Sequence, residues 1–220
     1  MNNMSAPFRW FIAGWFVAAV WSASACSQAP RDDNAATAAP VESADAELEA
    51  IRTATARFQH LDVALKEGYI RDPMNHCFTA PMEGFPKQLG SMGVHYFRPD
   101  LLGITVPAPP VNGTGTHTDF TRPGVLIYEP QADGRMALVA IENLVFADAW
   151  HAANQAPPAF RGNEYYRMID NPATSDVNEA HMFMPHYELH MWLYRPNPNG
   201  MFAQFNTNAT CEHHAQTKQS

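Results

Sequence analysis

The stretch VLIYEPQADGRMALVAIENLV, residues 125–145, decides the fold class. Val125 to Glu129 is short and rich in β-branched and aromatic side chains, and Pro130 to Gly134 collects turn formers. Met136 to Val145 is then a longer run of strand-forming residues. Two such runs joined by a turn predict an antiparallel hairpin. Working outward, Met92-Gly-Val-His-Tyr-Phe97 predicts a short strand ended by Pro99, and His186 to Tyr194 predicts another. Pro196-Asn-Pro-Asn-Gly200 reads as a turn, with Met201 to Phe205 as the antiparallel partner. Residues 113–119 suit an edge strand or a loop, and Phe146 to Ala153 a short helix. Arg71 to Gly90 and residues 154–180 carry enough proline and polar side chains to predict long loops.

Upstream, Leu48, Ile51, Ala54, Thr55, Phe58, Leu61, Val63 and Leu65 recur near helical spacing, after a capping Ser43 and before Gly68. The expected architecture is an α+β domain over residues 44–211, with this N-terminal helix packed on an antiparallel β-sheet or a small barrel. Residues 212–220 read as a disordered tail.

The chain begins MNNMSAPFRWFIAGWFVAAVWSASAC, where Arg9 is the only charge before an apolar block and small residues lead to Cys26. That order predicts a secretory signal peptide over residues 1–25. A cysteine directly after Ala-Ser-Ala further predicts a bacterial lipoprotein, anchored to the membrane through a multiply acylated Cys26. Without the lipid, the product would be a soluble secreted protein. Residues 26–43 then form a lipidated cysteine and flexible tether. Ser27 stands where inner-membrane retention favours aspartate, so the expected location is the periplasm-facing envelope, the outer membrane ahead of the inner. The formal net charge of −8 argues against nucleic acid as a partner.

With Cys26 assigned to the anchor, Cys77 and Cys211 remain. Two exported thiols predict one disulfide, and the chain-entropy model gives about 5 kcal/mol for closing so long a loop. The rival reading makes either sulfur a metal ligand, without the short Cys-x-x-Cys spacing that zinc sites favour.

Chemistry concentrates at His186-Tyr-Glu-Leu-His190. In a strand, Tyr187, Leu189, Met191 and Leu193 share one apolar face, while His186, Glu188, His190, Trp192 and Tyr194 share the other. Two imidazoles and a carboxylate at every second position suit one transition metal ion, Zn, Fe, Mn or Cu, once a neighbouring strand completes the set. His95 is the first candidate to do so, followed by Glu129 and Glu142, with His117 and Asp119 weaker. The competing readings are a packed or solvated face, or a metal-free pocket using the same polar groups. A softer cluster, His181, Met182, Met184 and His186, reads as copper ligands or as core packing. The chain has no dinucleotide loop, phosphate loop, Gly-x-Ser-x-Gly elbow or His-Glu-x-x-His helix. His76 beside Cys77 makes a poor nucleophile pair, because sequence neighbours rarely aim at each other.

The segments Met92-Gly-Val-His-Tyr-Phe97, Val125-Leu-Ile-Tyr-Glu-Pro130, Leu138-Val-Ala-Ile-Glu142 and Leu189-His-Met-Trp-Leu-Tyr194 resemble a group of uncharacterised exported bacterial proteins. So does the Asn-Pro-x-Gly-Met-Phe-Ala run ending at Ala203, and the likeness covers most of residues 50–211. Tyr194 stands where that group more often has tryptophan, and the surroundings of His117 and His181 are less typical. The resemblance implies an exported single domain. It places His95, Glu129, Glu142, His190 and Cys211 in shared segments, and it carries no activity. Two expectations follow: an envelope lipoprotein with a mononuclear metal site, or a non-catalytic envelope module whose His and aromatic face contacts a small ligand or an envelope protein.

Overall fold

A computed structural model describes residues 41–174 and 177–215. The expected signal peptide, Cys26, most of the tether and residues 216–220 lie outside the described residues. The architecture is mixed α+β, built on a seven-stranded antiparallel sheet. Its strands are β1 (Ile70–Arg71), β2 (Phe78–Thr79), β3 (Ser91–Phe97), β4 (Val125–Pro130), β5 (Met136–Phe146), β6 (Tyr166–Met168) and β7 (His186–Met191). Their order is β1-β3-β4-β5-β7-β6, with β2 also paired to β3. Of the two architectures expected, the chain therefore adopts the open sheet. The β4–β5 hairpin forms its centre.

The N-terminal helix is not one piece. Helix α1 (Val41–Thr55) gives way to a 3-10 turn, Ala56–Gln59, and then to α2 (Leu61–Lys66). His60 is extended, and the Tyr128 hydroxyl donates to the Phe58 carbonyl at 2.6 Å, taking an acceptor that a continuous helix would need. Strand β7 stops at Met191, short of Tyr194, and Met201 to Phe205 is not its partner strand. Instead that segment loops back so that the Trp192 amide donates to the Met201 carbonyl and its indole N–H to Ala203. Tyr194 consequently turns to the α1 side, where its hydroxyl meets Thr55 Oγ1 at 2.8 Å.

The two long segments expected as loops contain more order than their composition suggests. Residues 71–90 carry β2, and residues 154–180 carry β6 and the small hairpin Ala159–Phe160 with Asn163–Glu164. Cys77 and Cys211 form a disulfide across 134 residues, tying the approach to β2 to the C-terminal segment. Part of the expected tail is fastened as well, since Glu212 N–H donates to Thr210 Oγ1 and His214 Nε2 lies 3.4 Å from Asn75 Oδ1.

The sheet is buried on both faces. On one, Ile51 and Phe58 pack against Tyr96, Leu126, Ile141, Val145, Leu189 and Met191. On the other, Phe97, Val125, Leu144, Phe146, Phe183 and Trp192 surround a polar centre. A β-bulge in β5 decides which face Glu142 takes. Ile127 pairs with Ala140 but Tyr128 pairs with Leu138, which leaves Val139 as the extra residue. Strict alternation from Leu138, which packs on the α1 side, would put Glu142 there too. The bulge shifts the phase, so Ile141 faces α1 and Glu142 faces away. The Val139 carbonyl accepts the Tyr194 amide at 3.2 Å, which fixes the chain just beyond β7.

Candidate metal centre

Three strands bring the candidate ligands to one point. His190 on β7 is the direct cross-strand partner of Glu142 on β5. His95 comes from β3, separated from β5 by Ile127 of β4. All three are buried on the face away from α1. His95 Nε2 lies 3.3 Å from Glu142 Oε2, and His190 Nε2 lies 3.4 Å from the same oxygen. Ligand atoms about 2.1 Å from one tetrahedral ion stand about 3.4 Å apart. Among the described residues this is the group whose ligand atoms all fall within 4.8 Å of one another, so the three are close enough to hold a metal ion.

None of these three atoms has a hydrogen-bond partner. Buried polar atoms left bare cost about 1–3 kcal/mol each, so a cluster of them needs an explanation. Burial holds His95 down at about 4, with the charge of His181 adding to the effect, and burial lowers His190 as well. Both imidazoles are therefore neutral near pH 7 and keep a lone pair, the form that coordinates metal. Burial also pushes the Glu142 carboxyl up to about 7, against the pull of His190. A cavity of about 10 Å³ adjoins the triad, lined in part by Phe78, Phe97, Leu144 and Phe183. It has room for about one water-sized ligand.

The remaining candidates divide. Glu188 is buried beside the triad, with Oε1 3.9 Å from His190 Nδ1. His186 is not part of the converging group. Its Nδ1 donates to the Met184 carbonyl at 3.0 Å, and its Nε2 faces Glu188 Oε2 at 3.4 Å. Glu129 is structural: it pairs with Arg195 and accepts the Thr210 amide at 2.8 Å, anchoring the C-terminal segment. His117 contacts the Arg122 carbonyl and Asp119 caps its own turn at Thr121, both away from the centre. Of the soft cluster, Met184 is exposed, and His181 turns instead toward two carboxylates.

Glu83 escaped the sequence reading. It sits in a 3-10 turn, Ala80–Glu83, just after β2, and is only 3 % exposed. Its Oε1 lies 2.6 Å from His181 Nε2, although off the line of a hydrogen bond. Burial raises the Glu83 carboxyl to about 7, and His181 works against that rise. Burial alone would lower His181, but Glu83 and Glu188 hold it up at about 9. Glu188 goes the other way: burial would raise it, but His181, His186 and His190 keep it below the usual carboxylate range. His181 and Met182 both have positive φ, at 52° and 65°, strained values for residues with side chains. Phe78 stacks on His181, with ring centroids 4.5 Å apart, and meets His95 edge-on at 5.2 Å. The one signal that could have found Glu83 is that it is the only charged residue in the apolar, proline-punctuated run from Phe78 to Pro86. No protein-family model, curated protein or solved structure matches the chain.

Proposed function

We propose that this protein is an exported metal-binding protein whose metal ion is held by His95, His190 and Glu142. The observation that carries this reading is the convergence of three buried, unpartnered ligand atoms at 3.3 and 3.4 Å. Two imidazoles and one carboxylate suit zinc or iron, and three protein ligands leave a position for a small exogenous molecule. A metal there would supply Lewis acidity, activating one water-sized ligand in the adjoining cavity. The residues around it do the rest. Phe78, Phe97 and Phe183 exclude bulk water, and Glu188, whose Oε1 stands 3.9 Å from His190 Nδ1, would orient that imidazole as outer-shell carboxylates do once the two close to hydrogen-bond distance.

In this reading the signal peptide and an acylated Cys26 deliver the domain to the envelope, where Cys77 and Cys211 are oxidised. A second reading, a non-catalytic envelope module, is favoured by one observation: the centre is sealed, with His190 and His186 fully buried. Elemental mass spectrometry of the full-length protein separates the presence of a site from its absence. At least one ion per chain, with one fewer in His190→Ala and none lost in Cys211→Ser, is the expected result. A folded, oxidised protein that takes up no metal even after reconstitution would overturn it.

A further inference from the structure

Beside the triad lies a second set of the same composition. His181, His186 and Glu188 again make two imidazoles and one carboxylate, all buried. Glu188 Oε2 stands between the two rings, 3.4 Å from His186 Nε2 and 3.8 Å from His181 Nδ1. What the far side of each ring touches is decisive. The Met184 carbonyl can only accept, so His186 Nδ1 carries a proton and points it at that oxygen. At 2.6 Å from Glu83 Oε1, His181 Nε2 must likewise carry the proton, since two bare lone pairs do not approach so closely. The other nitrogen of each ring, His186 Nε2 and His181 Nδ1, faces Glu188 Oε2, and an ion entering there would displace the proton that the flanking carboxylates hold on His181. An outer oxygen on the far nitrogen is the arrangement that fixes histidine ligands around a metal.

We propose that His181, His186 and Glu188 form a second metal site, so that the protein holds two ions side by side. Glu83 is its outer carboxylate, setting the tautomer and ring plane of His181. Glu188 lies between the two sites: Oε2 serves the second, while Oε1 faces His190 Nδ1, on a ligand of the first, at 3.9 Å. The left-handed backbone at His181 and Met182 holds the ring in place, and Phe78 closes over it. The second set is wider than the first, so its ligand atoms must draw in when an ion enters. Divalent ions that accept nitrogen and oxygen ligands, Zn²⁺ and Co²⁺ among them, fit this donor set.

The second site uses ligands of its own, so it stands or falls separately from the triad. The test is equilibrium dialysis of the full-length protein against Zn²⁺ or Co²⁺, with metal per chain counted by elemental mass spectrometry. Two ions per chain are expected in the parent, one in His186→Asn and one in His190→Asn. Saturation of the parent at one ion, lost in His190→Asn, overturns the second site and leaves the first standing. Two ions retained in His186→Asn overturns it as well, because the extra ion then sits elsewhere. No ion in the folded parent removes both sites. The count in the parent decides the question even where a variant does not fold.

Discussion

Strand β7 presents two kinds of burial within six residues. Tyr187, Leu189 and Met191 face α1, and His186, Glu188 and His190 face the other way, yet all six are buried. On the α1 face each side chain is stabilised by removal from water and by close packing. On the opposite face, burial leaves Glu188 Oε1 and both nitrogens of His190 without hydrogen-bond partners. The first face needs nothing further to be stable. The second is a stability deficit that a bound cation would turn into a gain.

The largest effect should therefore come from metal. If the deficit is what a cation relieves, ligand at 1,000 times its Kd adds about 4 kcal/mol, roughly 8–16 °C in Tm for a domain of this size. Calorimetry with and without a chelator reads this directly, and an unchanged Tm would break the contrast between the faces.

Leu189→Ala comes next, expected to cost about 3 kcal/mol by opening a cavity under α1. Denaturant melts should give the same loss in metal-free and metal-loaded protein. A loss that depended on metal would mean the faces are coupled through the sheet.

Glu142→Gln sharpens the comparison by sign. The Glu142 carboxyl rises from its ordinary 4.5 to about 7 in the folded protein. A carboxyl raised in this way weakens the fold as pH climbs through that window. Removing its charge should stabilise the metal-free protein at pH 8 by about 1 kcal/mol, flatten the fall in stability between pH 5 and 7, and weaken metal binding ~100-fold or more. Destabilisation of the metal-free form instead would identify the cluster as a satisfied ion-pair network.

The smallest expected effect is at the margin of the α1 face. Tyr194→Phe loses the hydroxyl contacts to Thr55 Oγ1 and the Arg52 carbonyl, at a cost of about 1 kcal/mol. Metal content should not change, and a drop would show that the loop after β7 reaches the site.

The legibility of this chain follows the same division. The β4–β5 hairpin, β3 and β7 could be read because strand periodicity is local. The pairing of Cys77 with Cys211 followed from the count of cysteines. His95, Glu142 and His190 could be named from residue type, but their meeting depends on strand order, which no local pattern encodes. The helix break at His60 depends on a hydroxyl seventy residues away, and Tyr194 changes sides because β7 stops early. Glu83 and His181 lie in segments without periodicity, so their burial and mutual contact are set by tertiary packing alone.

Val139 gives the sheet a parity. Inserting one residue beside it, with no second bulge to absorb the shift, would preserve every chemical group from Ile141 to Phe146 while exchanging inside for outside along the run. Glu142 would be sent under the helix, and Ile141 would be delivered to the histidines. A substitution at Val139 alters one side chain, but an added residue there rewrites the site, so the centre is guarded by a count of residues as much as by their identities.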